Sequence, residues 1–368
     1  MDRRQFFVGA AAAGASLAYG ARRPWAQSAR GAQPAKGGQR RKVTVGGKRV
    51  RTVDVHCHTA IPDVAPIVKG TSLERRAQRQ LTVPGNNPTL ENRIATMDAQ
   101  GIDVEAISVN EWWYPADRDL ARKICEVQNE KLMALCKQEP ERLVAFATVP
   151  LQFPDLAAEM LEVAMKQQGL RGAGIGGNVA GVELSDPKFD PFWAKAEELD
   201  ALLFMHPQDS EQATGIAKRV EGYGALGNVI GNPLETTIAL SHLIMDGTLD
   251  KFPKLRICGA HAGGYLPSYA GRLDHGCSVQ PASCKGPGPK KRPSDYLKQL
   301  YVDTMVFTPE GLRHLAVEIG PRHIMIGTDY GFPWVTDPVG HVLATPGLSD
   351  ADKVAILGGT AAKLLRLS

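Results

Sequence analysis

The sequence predicts an α/β fold, a (β/α)8 TIM-like barrel spanning residues 52–368. Three observations predict it. After residue 50, short β-branched runs alternate with longer helical patterns, the signature of a parallel sheet with crossover helices. Eight such strands recur in about 310 residues, the size of one such barrel. Four of the eight predicted strands also end in a histidine or an aspartate, at the edge where barrel enzymes collect their reactive groups. The rival, a doubly wound open sheet, usually opens with a glycine-rich turn after its first strand. Here that place reads VDVHCH, Val53–His58. The glycine-rich GAGIGGN, Gly172–Asn178, lacks the G-x-G-x-x-G spacing and reads as a strand end entering a loop.

Residues 1–28 have the character of an export signal. Arg3 and Arg4 precede Phe6, Phe7 and Val8, and an alanine- and glycine-rich stretch follows to Gly20. A basic start, a short apolar run and small residues near a cut site describe a secretory leader, and the paired arginines resemble the twin-arginine type. Cleavage is expected between Ala21 and Ala29, and the location periplasmic or secreted. Residues 29–51 hold eight basic side chains and no acidic one, as a tail or linker or as a small hairpin in which KVTV and KRVRTV flank Gly46 and Gly47. Charge divides there. Residues 1–51 carry 12 of the 43 basic residues and one of the 39 acidic ones, so the rest has a net charge of −7 and the overall +4 belongs to the N-terminus. Nothing in the body argues for a nucleic-acid surface. No apolar run reaches the ~20 residues of a membrane helix, so an integral membrane protein is not expected. None of the six cysteines has C-x-x-C spacing, and Cys277 and Cys284 could pair in an exported protein.

Within the barrel, strands are predicted at Thr52–Cys57, Val104–Val109, Leu143–Val149, Gly172–Gly176, Leu202–Met205, Leu255–Ala260, Tyr301–Thr304 and Ile324–Gly327. Helices are predicted at Leu90–Gln100, Arg118–Gln138, Leu156–Gln167, Phe189–Leu199, Glu235–Leu249, Pro309–Ile319 and Asp350–Leu367.

The strand ends then form a list. Strand one ends in His56-Cys57-His58, strand five in His206-Pro207, strand six in His261 and strand eight in Thr328-Asp329. Side chains alternate along a strand, so His56 and His58 share the inward face and Cys57 points away. Strict alternation also puts Asp54 inward and Val55 outward. An HxH pair alone is a weak signal, and His206 or His261 alone reads as an ordinary structural histidine. Their joint placement at strand ends points to a mixed nitrogen and oxygen site for one divalent metal, zinc first, with manganese or iron(II) as alternatives. His261 remains as an acid–base group. His242, His314, His323 and His341 read as surface or packing residues, and His275 as intermediate.

The order HxH, HP, a strand-six His and TD resembles the amidohydrolase superfamily, whose barrels are of the metal-dependent hydrolase type. The pieces DVHCH, MDAQGIDVEAIS, LFMHPQD, GNPLETTIAL, KFPKLRICGAHAGGYLPSYAGRLDHG and IMIGTDYGFP are similar to its aminocarboxymuconate-semialdehyde decarboxylase-like subgroup, from about residue 52 to 367. The resemblance implies His56, His58, His206 and Asp329 as metal ligands and His261 as the base or acid beside the metal-bound water. It implies that Arg272 reaches a neighbouring subunit's site to grip a substrate carboxylate, and so a homodimer. Three pocket positions depart from the subgroup. Gln208 stands where it has a tryptophan and Gly331 where it has a proline. The loop after strand one is rebuilt, with Arg75, Arg76 and Arg79 as candidates for a second substrate arginine. The expected function is therefore a metal-dependent carboxy-lyase on a small unsaturated or aromatic carboxylate. The alternatives are a metal-dependent hydrolase of a lactone, ester or amide, or a hydratase, and a non-catalytic exported binding protein.

Overall fold

The computed structural model describes residues 39–83, 85, 88–208, 219–222, 224–284 and 288–367, so the expected export segment lies outside the described residues. The chain forms parallel α/β structure. Val53–His58 pairs with Val104–Ser108, which pairs with Leu143–Ala145. One residue on, Ala147–Thr148 starts a second ladder through Gly172–Ile175, Leu202–Met205, Arg256–Gly259, Tyr301–Asp303 and Ile324–Met325. Parallel bridges Asp54–Ile326 and Cys57–Tyr330 join the last of these segments to the first. This order is that of a TIM barrel. Every predicted strand is present, its ends matching to within four residues and those of Leu202–Met205 without difference.

Burial on both faces explains why these strands read as continuous apolar runs. On one face Val53, Val55, Val104, Ala106, Val144, Phe146, Leu202, Phe204, Cys258, Ala260 and Met325 form an inner cluster, into which Ala361, Leu364 and Leu365 from the C-terminal end of the chain pack. On the other face residues such as Ile107, Ala173, Ile175, Leu203 and Ile257 meet the helices in a second, larger cluster.

Strict alternation fails in the first strand. The ladder pairs Asp54 with Glu105 and Cys57 with Ile107, so Val55 and His56 together oppose Ala106 alone. This is a β-bulge. It keeps Val55 in the inner cluster and still aims His56 and His58 inward, while Asp54 turns outward beside Glu105 and Cys57. The expected inward Asp54 and outward Val55 are thus reversed, and Cys57 faces away as expected. The backbone amide of His56 donates to the Asp54 carboxylate at 2.9 Å.

The helices Leu90–Gln100, Arg118–Gln138 and Pro309–Ile319 have the predicted bounds. Thr89, Asp117 and Thr308 cap their N-termini through side-chain oxygens. The last predicted helix is broken at Gly358. The helices Glu74–Thr82 and Leu266–Val279 were not anticipated. The second reads LPSYAGRLDHGCSV and buries only Leu266, Pro267 and Ala270, too little for an apolar period to show. Cys277 and Cys284 form a disulfide with their Cα atoms 5.6 Å apart.

Of the two readings of the basic stretch, a hairpin forms at Thr44–Val45 and Lys48–Arg49. It is held by charge. Arg40 and Arg49 both pair with buried Asp103, and Arg41 pairs with Asp337 at 2.7 Å.

Leu365 is fully buried in the inner cluster far along the chain from the metal-ligand candidates. Leu365→Ala should lower stability by about 2–5 kcal/mol, read from the midpoint of chemical denaturation. The folded variant should keep its metal content.

Candidate metal centre and substrate cleft

Four sequence-predicted residues come together. One ligand atom each from His56, His58, His206 and Asp329 lies within 4.8 Å of the others, and all four residues are buried. The ring partners decide what the imidazoles present. His56 Nδ1 lies 2.7 Å from Asp303 Oδ2, an oxygen that only accepts, so Nδ1 carries a proton and Nε2 is the nitrogen turned toward the other three residues. His58 Nδ1 lies 3.0 Å from Ser108 Oγ, whose own hydroxyl donates to the Cys57 carbonyl. His58 therefore also donates from Nδ1. The two Nε2 atoms face each other at 3.1 Å. Asp329 Oδ1 is 3.0 Å from one and 3.3 Å from the other, yet it is buried with no hydrogen bond. Lone pairs aimed at a common point around an unsatisfied carboxylate fit a cation between them.

The electrostatics agree. Burial pushes the His58 ring below its usual range, and His206 well below it with the help of His58 and His56. Both are therefore neutral donors at pH 7. Burial acts in the same sense on His56, but the Asp329 and Asp303 carboxylates overcome it and raise the ring to about 10. The pocket draws positive charge to this point.

Three close approaches hold the ligands. The Asp329 amide donates to the His56 carbonyl at 2.8 Å, so the eighth-strand ligand is tied to the first strand. Gly327 lies between them because a Cβ there would meet Asp303 Cβ at 2.6 Å and His56 Cβ at 2.9 Å. The Asp54 carboxylate takes the Thr328 hydroxyl at 2.5 Å on the outer side. Behind His58, the buried Arg93 guanidinium pairs with Glu105 at 2.5 Å, donates to the His58 carbonyl at 2.6 Å and lies under the Tyr330 ring.

His261 sits beside the four, its Nε2 4.0 Å from Asp329 Oδ2. It and Ala262 adopt left-handed backbone conformations, φ 54° and 59°, and Asp329 does so at 56°. Such positions persist only when the surroundings over-determine them. Here the Asp303 carboxylate accepts the amides of His261 at 2.9 Å and Ala262 at 2.7 Å, and that of Met305 at 2.9 Å. Burial, then the neighbouring His56, lowers His261 to about 4, so its ring is neutral and able to accept a proton.

Asp303, Ser108 and Arg93 escaped the sequence reading. Asp303 had a signal, since it closes the seventh strand in YVDT as Asp329 closes the eighth. Ser108 and Arg93 had none, because their roles depend on pairing between strands and on a helix crossing behind them. Arg75, Arg76 and Arg79 all line the cleft outside His206 and Asp329, together with Gln208 and Phe332. Arg272 is exposed on Leu266–Val279 and does not line this cleft. His242 is half-buried and His314 exposed, lying near Asp246 and Glu318, and His323 stacks on Tyr301. His341 is half-buried and His275 exposed.

Comparison with known proteins places the chain in a family. A family model described as amidohydrolase matches residues 53–367. The 2-amino-3-carboxymuconate-6-semialdehyde decarboxylase of Dictyostelium discoideum is 29% identical over 75% of this chain and 76% of its own length. The gamma-resorcylate decarboxylase of Rhodococcus jostii is 29% identical over 84% and 97%. Among solved structures, a dihydroxybenzoic acid decarboxylase of Polaromonas sp. JS666 holds manganese and the inhibitor 2-nitroresorcinol. It superposes with a TM-score of 0.73 at 25% identity, over 86% of this chain and 97% of that one.

Asp303→Asn should weaken metal binding by about 10–100-fold with the fold intact, because the partner that orients His56 is lost. Metal titration followed by circular dichroism checks this, and unchanged affinity would remove Asp303 from the centre. His206→Ala and Asp329→Ala should purify with little metal.

Proposed function

The chain belongs to the amidohydrolase family, and from that premise we propose that it is a metal-dependent decarboxylase, a carboxy-lyase acting on a small unsaturated or aromatic carboxylate. The observation that carries the reading is the convergence of His56, His58, His206 and Asp329 with His261 beside them, at the floor of an arginine-lined cleft. The decarboxylase names of similar proteins support it.

Three imidazoles and a carboxylate suit zinc, with manganese and iron(II) next. Bound there, a divalent ion supplies Lewis acidity and lowers the pKa of a water from ~15.7 toward ~7. The chain's own residues do the rest. His261, neutral and next to Asp329, is placed to hold a proton at Nε2 and deliver it to the carbon that bears the carboxylate. As that C–H bond forms, the bond to the carboxylate breaks, CO2 departs and the electron pair restores the unsaturated system. Arg75, Arg76 or Arg79 on the cleft wall can orient the carboxylate.

Arg272 belongs to this reading as a residue acting across a homodimer, supported by its exposure on a helix that does not line its own cleft. Export of a twin-arginine type, to a periplasmic or secreted location, is the companion proposal. It is supported by Arg3-Arg4 before Phe6-Phe7 and by the Cys277–Cys284 disulfide, which suits an oxidising compartment.

The metal-loaded protein should release CO2 from unsaturated or aromatic carboxylates. Acid release from lactones or esters alone would establish the hydrolase instead. His261→Asn should lower kcat by ~10²–10⁴-fold with metal retained. Mixing inactive Arg272→Ala with inactive His261→Asn subunits should restore activity that neither has alone, and no recovery would remove Arg272 from the site.

A further inference from the structure

The cleft has a polar wall that the decarboxylation does not use. Glu111 follows the second strand, lines the cleft and is 8% exposed. Its Oε2 is buried without a hydrogen-bond partner, and no ion pair reaches it among the described residues. Asn110 Oδ1 and Gln208 Nε2, on the same lining, are also buried without partners. Unmet donors and acceptors in a cleft wall mark places where a ligand supplies the missing partner.

The glycine-rich stretch after the fourth strand explains how these side chains fit. A Cβ on Gly174 would sit 3.3 Å from Glu111 Oε1, and one on Gly176 would sit 2.6 Å from Gln208 Nε2. The bare face of GAGIGG is the seat of two polar side chains, not a phosphate cradle. The Gly176 amide is engaged elsewhere, donating to the Tyr114 hydroxyl at 3.2 Å.

We propose that Glu111 and Gln208, seated over Gly174 and Gly176, form a subsite that selects substrates carrying an uncharged hydroxyl or amide substituent over those carrying a second carboxylate. The inference rests on the carboxylate-substrate reading above and goes further by assigning the substituent. Gln208 offers one donor group and one acceptor. Glu111 does the same when protonated, and burial pushes its carboxyl up to about 8. A hydroxyl or amide both gives and takes a hydrogen bond and fits this pair. A second carboxylate placed on Glu111 and Gln208 pairs with no cation of theirs among the described residues and is left desolvated.

The test is calorimetric binding of benzoate, the three monohydroxybenzoates and isophthalate to metal-loaded protein, which needs no turnover. At one ring position the hydroxyl should tighten binding about tenfold over benzoate, and isophthalate should bind more weakly than benzoate. Glu111→Gln, uncharged and isosteric, should keep the hydroxyl preference, while Glu111→Leu and Gln208→Ala should each reduce it severalfold. Gln208 is only half-buried, so its variant tests the subsite even where Glu111→Leu fails to fold. Isophthalate binding as tightly as the best hydroxybenzoate, or both truncations leaving the preference intact, would overturn the subsite alone. Failure of every benzoate to bind would overturn the aromatic-acid reading and the subsite with it.

Discussion

The carboxylate of Asp303 is the constraint on which the site depends. It is fully buried and takes four donors: the His56 ring and the amides of His261, Ala262 and Met305. Burial alone would raise its pKa, but the His56 contact and these hydrogen bonds hold it below the usual carboxylate range. An ionised carboxylate is therefore available to orient His56 and to hold the chain in the left-handed turn that presents His261. One side chain from the seventh strand thus sets the orientation of His56, a candidate ligand from the first, and the backbone of His261 at the end of the sixth.

A second support acts from outside the ring of strands. The bulge in the first strand brings His56 inward one residue after Val55 and frees the His56 amide, which Asp54 accepts. Asp54 also holds Thr328, next to Asp329, while Arg93 grips the His58 carbonyl and Glu105. Asp54, Cys57 and Glu105 cluster closely enough to suggest a second metal site. The guanidinium of Arg93 already supplies the cation there, and the charge network serves to fix the first strand. Burial and the neighbouring Glu105 raise Asp54 to about 8, consistent with a carboxyl that holds amide and hydroxyl donors without a cation of its own.

The cleft above the centre divides by chemistry. Arginines on Glu74–Thr82 make one wall cationic, suited to a carboxylate, while Glu111, Asn110 and Gln208 make a polar surface of buried, unpartnered atoms elsewhere on the lining. In the proposed reading a substrate bound between them would be held at two ends, and orientation of this kind supplies much of the advantage of a bound over a free reaction.

The sequence by itself determined the alternation of strands and helices, because apolar runs buried on two faces and amphipathic helices leave distinct periods. It also marked the four candidate ligands, since His56, His58, His206 and Asp329 all fall where parallel strands end and barrel geometry brings strand ends to one mouth. Local sequence could not fix anything that required knowing which strands are neighbours and how their registers run. The bulge that reverses Asp54 and Val55 exists only in the pairing with Val104–Ser108. Asp303 reads as one more buried acid until its four donors are brought to it from elements far apart in the chain. Gly174 and Gly176 look like part of a loop motif until Glu111 and Gln208, from two other strand ends, are found seated over them. Periodicity is a property of one segment and survives in the sequence. Convergence is a property of several, and only the packed chain decides it.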